Sequence, residues 1–118
     1  MREPLRDTAR LEHILEAISN VKAYTLDVGR DAFENDAMRV HAVAYNIQII
    51  GEATYKLTKE FKAEHPDTPW RLIEKMRHIL VHDYFTVDMD FVWIVITEDL
   101  DPLKEQVEGY LSDMQENQ

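Results

Sequence analysis

The sequence predicts an all-α protein, an antiparallel up-and-down bundle of four or five helices that forms one domain over residues 1–118. Three observations support this prediction. The 118 residues are enough for one hydrophobic core and too few for two. The chain contains only 3 glycines and 4 prolines, which is little material for hairpin turns. Apolar residues recur at intervals of three and four, which is the period of an α-helix.

The first half of the chain is expected to form two helices. The first begins with Asp7 or Thr8 as its N-cap and runs to about Tyr24, and its apolar stripe comprises Leu11, Ile14, Leu15, Ile18 and Val21. A longer second segment, from residue 31 to residue 64, has a candidate interruption at residues 35–36. Gly51 within this segment costs about 1 kcal/mol relative to alanine, which a close helix crossing would explain.

The second half is expected to form two further helices after the break at residues 65–69. Thr68 as N-cap and Pro69 at the first helical position predict the start of the third helix, which ends between residues 82 and 85. The fourth begins at Asp88, and Pro102 either bends it or starts a separate segment. Residues 113–118 are expected to fray.

Composition excludes several classes of function. The chain has no cysteine, so disulfide frameworks, thiolate metal sites and cysteine nucleophiles are excluded. The charged N-terminus does not look like a signal peptide, and the longest apolar run, residues 91–96, is too short to span a membrane. We therefore expect a cytoplasmic protein with no membrane partner.

The distribution of charge is uneven. The net charge of -10 disfavours sequence-independent binding of nucleic acid over the whole surface. Residues 56–82, however, carry six lysine and arginine residues against four aspartate and glutamate residues. This middle part of the chain is where a phosphate group would meet a favourable field.

Residues 76–85 hold the groups most able to carry chemistry, and three interpretations stay open from the residues alone. His78 and His82 are four apart and share a helix face, as two metal ligands would. Alternatively, His82 could exchange protons near neutral pH while Arg77 neutralises charge on a phosphate, in metal-free phosphodiester chemistry. The third interpretation is that Arg77 and His82 only stabilise the dipole at a helix C-terminus.

The order of these residues resembles the HepT-like toxins of the HEPN superfamily. Their motif is an arginine, four to six residues and a histidine, and Arg77 and His82 match it with four residues between them. HepT-like members have a tyrosine two residues after the histidine, and Tyr84 matches that position. The residue after the arginine is commonly asparagine in that family, whereas here it is His78. The resemblance covers nearly the whole chain and includes residues 9–15, 49–53, 65–70 and 92–100.

The resemblance implies an all-α HEPN-like fold and a metal-independent endoribonuclease that needs no cofactor. Arg77 would hold the scissile phosphate of RNA, and His82 would activate the ribose 2′-hydroxyl or protonate the leaving 5′-oxygen, with His78 and Asp83 in supporting roles. The expected product is a 2′,3′-cyclic phosphate. Members of this superfamily act as dimers, so a homodimer or a higher even oligomer is implied, with the two motifs lining one cleft.

The resemblance also implies a partner. HepT-like toxins belong to toxin–antitoxin systems whose antitoxin is a minimal nucleotidyltransferase, which transfers AMP from ATP to the motif tyrosine, here Tyr84. Two other functions remain open at this point. The chain could be a catalytically weak binding or regulatory module for a nucleotidyltransferase, or a purely structural oligomerisation domain.

Overall fold

The fold is built from helices, as predicted. The computed structural model describes residues 3–79 and 87–116, with side chains from residue 7 onward. Within these residues every regular element is helical and no strand occurs, which confirms the all-α class. The α-helices are α1 (Glu3–Thr25), α2 (Arg30–Glu34), α3 (Ala37–Tyr55), α4 (Lys59–Glu64), α5 (Trp70–Glu74), α6 (Met89–Ile94) and α7 (Leu100–Glu116). A 3-10 turn (Lys75–His78) extends α5, and a π turn (Val95–Asp99) joins α6 to α7.

Helix α1 begins a turn earlier than predicted. It starts at Glu3, so the prediction that Asp7 or Thr8 caps it is wrong. Asp7 instead is buried, and its carboxylate accepts hydrogen bonds from the backbone N–H of Thr58 at 2.9 Å and from the Thr58 hydroxyl at 2.7 Å. Thr58 in turn caps α4 by accepting from the N–H of Phe61. The aspartate therefore anchors the start of a different helix.

The segment from residue 31 to residue 64 divides into three helices rather than two. The predicted interruption at residues 35–36 is confirmed, and Asp36 caps α3 by accepting a hydrogen bond from the N–H of Arg39 at 3.1 Å. A second break, at residues 56–58, was not predicted. It exists because Thr58 adopts an extended backbone and begins a new capped helix there.

Helix α5 starts one residue later, and its α-helical part ends much sooner, than the sequence predicts. Pro69 occupies the N-cap position, and the hydroxyl of Thr68 bonds to Gln106 and Tyr110 of α7 instead of capping α5. The α-helical part ends at Glu74, where the chain tightens into the 3-10 turn. The prediction that an α-helix runs through residues 75–78 is therefore wrong, and residues 80–86 lie outside the described part.

The predicted fourth helix corresponds to α6 and α7, and the π turn that joins them was not predicted. Asp88 caps α6 by accepting from the N–H of Phe91 at 3.1 Å, as predicted. Pro102 lies in the first turn of α7, directly after the π turn. A proline has no N–H and its ring crowds the carbonyl four residues earlier, so a wider turn before it accommodates the break. Helix α7 continues to Glu116, so the fraying predicted from residue 113 is wrong at least that far.

The long helices α1, α3 and α7 form the body of the bundle. Helix α1 packs against both α3 and α7. Helices α1 and α3 are antiparallel, because Asn20 bonds to Asn46 while the backbone carbonyl of Tyr24, further along α1, accepts from Arg39, which lies earlier in α3. The core that α1, α3 and α7 share contains fully buried side chains from all three helices: Leu11, Ile14, Ile18, Ile47, Ile50, Val107. No helix in the described residues is both long and apolar enough to cross a membrane.

Candidate active site

The candidate site is built where α3 meets the 3-10 turn. A Cβ atom added at Gly51 would lie 2.1 Å from the backbone nitrogen of Arg77, 2.7 Å from the carbonyl carbon of Met76 and 2.8 Å from the Cα of Arg77. Only glycine allows two backbones to approach this closely. The close crossing predicted at Gly51 is confirmed, and its partner is the backbone of the motif arginine itself.

The side chain of Arg77 lies against the last residue of α3. Its guanidinium carbon is 3.6 Å from the centre of the Tyr55 ring, which is a cation–π contact. Its Nε donates a hydrogen bond of 3.1 Å to Nε2 of His78. Arg77 is half-buried, whereas Tyr55 and His78 are exposed, so the cluster lies at the surface.

The charge of Arg77 is not neutralised by a neighbouring acid in the part of the chain that the structure describes. No carboxylate there forms an ion pair with it. Lys62, by contrast, pairs with Glu74 at 2.8 Å in a largely buried position. Among the described residues the two terminal amino groups of Arg77 therefore have no partner, and a guanidinium can hold two phosphate oxygens at once.

The structure describes two of the five predicted site residues, Arg77 and His78, and brings them together. His82, Asp83 and Tyr84 lie outside the described residues, so their places relative to Arg77 stay predictions. The 3-10 turn also changes the expected geometry, because residues in it advance by about 120° each rather than 100°. Over residues 3–79 and 87–116 no three histidine, aspartate or glutamate side chains form a cluster that could hold a metal ion.

Sequence reasoning missed Tyr55. It singled out Gly51 but not the tyrosine one helical turn further on, although residues four apart share a helix face. Glu52, which follows Gly51 in α3, is exposed and forms no ion pair within the described residues. His13 and His41 are exposed.

A separate cavity of about 360 Å³ opens between α5 and the start of α7. Its walls are mainly apolar and include Leu72, Ile73 and Phe91, with Asp99 at the rim. Partial burial, helped by the neighbouring charge of Glu98, raises the pKa of the Asp99 carboxyl above its ordinary value. Arg77 does not line this cavity, although Lys75 and Met76 of the same 3-10 turn do.

The comparison with protein families identifies the class of protein. The family described as "Ribonuclease HepT-like" matches residues 14–109 of the 118. The chain therefore belongs to the HepT-like ribonuclease family, and the predicted resemblance is confirmed.

Individual relatives agree with this assignment. The chain is 38% identical over 98 residues to a "Probable ribonuclease HepT" of Thermococcus cleftensis, covering 83% of this chain and 89% of that protein. It is 35% identical over 100 residues to a "Putative RNase" of Methanocaldococcus jannaschii, covering 85% and 92%. A third relative, "Gamma-glutamylcyclotransferase and putative RNase" of the same organism, is 36% identical over 107 residues. These are 91% of this chain, and the match spans about half, 48%, of that longer protein. No solved structure matches the chain.

Proposed function

We propose that the protein is a metal-independent endoribonuclease that acts as the toxin of a toxin–antitoxin system. The observation that carries the proposal is the placement of Arg77 in a chain of the HepT-like ribonuclease family. Its backbone lies against Gly51, its guanidinium lies on Tyr55, and no described carboxylate neutralises it. A half-buried guanidinium that is oriented in this way at the surface suits the binding of an RNA phosphate.

In the proposed mechanism Arg77 binds the phosphate and His82 transfers protons. Arg77 binds the scissile phosphate and stabilises the negative charge that builds up on the pentavalent phosphorus. A histidine ring accepts the proton of the ribose 2′-hydroxyl as that oxygen attacks the phosphorus, and a protonated ring donates a proton to the leaving 5′-oxygen. The products are a 2′,3′-cyclic phosphate and a 5′-hydroxyl. His78, which accepts the Nε–H of Arg77, and Asp83 are assigned supporting roles.

The proposed active form is a homodimer or a higher even oligomer. The net charge of -10 disfavours nucleic-acid binding by the surface as a whole, so binding must come from a local cluster of cations. Four cationic residues of the segment 56–75 are exposed and form no ion pair among the described residues: Lys56, Lys59, Arg71, Lys75. A two-fold axis near Arg77 would place two such clusters, and the histidines of both chains, in one cleft.

The proposed regulation is AMPylation of Tyr84 by a cognate minimal nucleotidyltransferase. The tyrosine oxygen attacks the α-phosphorus of ATP, pyrophosphate leaves, and an adenylyl group becomes attached. This group adds bulk and a negative charge within seven residues of Arg77. It would compete with an RNA phosphate for the same cation.

The ribonuclease proposal is tested with the purified, unmodified chain and total RNA in the presence of EDTA. We expect cleavage to persist with the chelator, to yield 2′,3′-cyclic phosphate ends, and to be lost in His82→Ala. Cleavage that EDTA abolishes would contradict the metal-independent mechanism. If the wild-type chain does not cut at all, the binding-module function becomes the better explanation, and the acidic net charge already favours that alternative.

The regulatory proposal needs its own test. The chain is incubated with ATP and a minimal nucleotidyltransferase proposed as its partner, and the intact mass is measured. We expect a gain of adenylyl units in the wild-type chain and none in Tyr84→Phe. Equal modification of the Tyr84→Phe chain would show that another residue is modified and that the assignment to Tyr84 is wrong.

A further inference from the structure

We propose that Tyr55 is a positioning residue for Arg77, and that it holds the guanidinium ready for phosphate without neutralising its charge. This inference rests on the proposed ribonuclease function. It concerns a residue outside the motif of residues 77–84, and contact geometry alone brings it to the site.

Different parts of α3 hold the backbone and the side chain of Arg77. Gly51 admits the Arg77 backbone, with distances that leave no room for a methyl group. The contact with Gly51 fixes the backbone position of Arg77, but it does not fix the position of the guanidinium at the end of the flexible side chain. Tyr55, one turn further along the same helix, meets the guanidinium at 3.6 Å. One helical turn of α3 therefore contacts both ends of the arginine.

The contact with Tyr55 does not use the N–H donors of the Arg77 guanidinium. In a cation–π contact the guanidinium lies over the face of the aromatic ring. The N–H donors lie in the plane of the guanidinium and point outward from its edges. The Nε–H is already directed to His78. The two terminal amino groups have no partner within residues 3–79 and 87–116, and such a pair can form parallel hydrogen bonds to two phosphate oxygens.

Tyr55 restrains a cation in a different way from an ion pair. Lys62 is held by an ion pair to Glu74 at 2.8 Å, and that carboxylate cancels its charge. An aromatic ring attracts the cation through its quadrupole and carries no net charge. Tyr55 can therefore restrain Arg77 while leaving the full positive charge for the substrate.

Tyr55 is half-exposed, so it could instead stack directly on an RNA base. The two roles differ in one respect. A positioning residue acts only through Arg77, whereas a stacking residue contributes whether or not the arginine is present. A double-mutant cycle separates them.

The test compares Tyr55→Leu with Tyr55→Phe, using Tyr45→Leu as the matched control. Tyr45 is another exposed tyrosine of α3, and it has no described contact with Arg77. We expect Tyr55→Leu to lower kcat/KM for metal-free RNA cleavage about three- to tenfold, a size typical of a lost cation–π contact together with some loss of orientation. Tyr55→Phe keeps the ring face and should stay within about twofold of wild type, as should the control.

The double-mutant cycle also needs Arg77→Gln, alone and combined with Tyr55→Leu. Its measured quantity is the affinity for RNA whose 2′-hydroxyls are methylated, so that the RNA binds without being cut. We expect Tyr55→Leu to weaken binding in the wild-type background and to have no further effect beside Arg77→Gln. Unaltered melting temperatures would exclude a general loss of folding. The inference is overturned if Tyr55→Phe loses as much as Tyr55→Leu, or if the loss persists in full without Arg77.

The outcomes also separate this inference from the proposal on which it rests. If the wild-type chain cleaves RNA in EDTA and Tyr55→Leu cleaves equally well, only the role of Tyr55 is wrong. If the wild-type chain does not cleave, the ribonuclease proposal and the positioning role fail together.

Discussion

Replacing Gly51 with alanine should damage both the stability of the bundle and the site built on it. The added Cβ would lie 2.1 Å from the backbone nitrogen of Arg77. A comfortable carbon–nitrogen contact is longer by about 1 Å or more, since non-bonded atoms prefer about 3.5 Å. All three nearest atoms belong to the backbone of residues 76–77, so no flexible side chain can move aside. The 3-10 turn itself must shift.

The size of the effect follows from two opposing contributions. Alanine in place of glycine inside a helix stabilises it by about 1 kcal/mol. Forcing an extra methyl group into a packed contact costs about 1–3 kcal/mol, and a clash with backbone belongs at the upper end of that range. The net expectation is a loss of about 2 kcal/mol in the free energy of unfolding. A displacement of Arg77 by about 1 Å should also lower RNA cleavage by up to about a hundredfold.

Gly109→Ala is the matched control. Gly109 lies inside α7, and a Cβ there would meet nothing within 4 Å. The control should therefore gain up to about 1 kcal/mol and leave cleavage unchanged. Urea denaturation of the two variants gives the comparison directly. If Gly51→Ala proves as stable and as active as Gly109→Ala, the close approach of α3 to the Arg77 backbone does not exist as described.

Three further predictions concern other contacts of the fold. Asp7→Ala removes the acceptor of two hydrogen bonds from Thr58 and should cost about 2 kcal/mol in urea denaturation; an unchanged midpoint would contradict the anchoring of α4. Thr68→Val removes the buried hydroxyl that meets Tyr110 and should cost about 1 kcal/mol, whereas Thr68→Ser should retain most of the stability. Burial raises the pKa of Asp99, so the folded chain holds that proton more tightly than the unfolded chain, and stability falls as the pH rises through the raised pKa. Asp99→Asn should therefore melt higher than wild type at neutral pH and equally at about pH 3, below the carboxyl's ordinary pKa; a pH-independent difference would exclude titration as its cause.

Local signals in the sequence predicted some helix boundaries and misassigned others, for a physical reason. The caps Asp36 and Asp88 act within their own helices, so their effect is visible in the neighbouring residues. Asp7 looks like the same kind of cap, yet it bonds to Thr58, which is 51 residues away. A short polar side chain can satisfy a nearby or a distant N–H, and only packing decides which.

At the candidate site, too, some features were predictable from local sequence and others depend on tertiary packing. Gly51 predicted a close crossing, because a glycine inside a helix needs a steric reason, but it did not reveal that Arg77 was the partner. The motif of Arg77 and His82 was recognisable through resemblance to a family. The contact of Tyr55 with Arg77 joins residues 22 positions apart across two elements, so no periodicity or spacing rule reports it.

The measurement that tests the central claim most directly is single-turnover RNA cleavage in EDTA by Arg77→Ala beside Lys75→Ala. Both residues are cations of the same 3-10 turn, and Lys75 is exposed with no described ion pair. The proposed mechanism predicts that Arg77→Ala loses at least about a hundredfold in rate, as expected for removing a group that stabilises the transition state. Lys75→Ala should stay within a few-fold of wild type, because it changes only the surrounding field. Equal rates for the two variants, or full activity in Arg77→Ala, would contradict the assignment of this site.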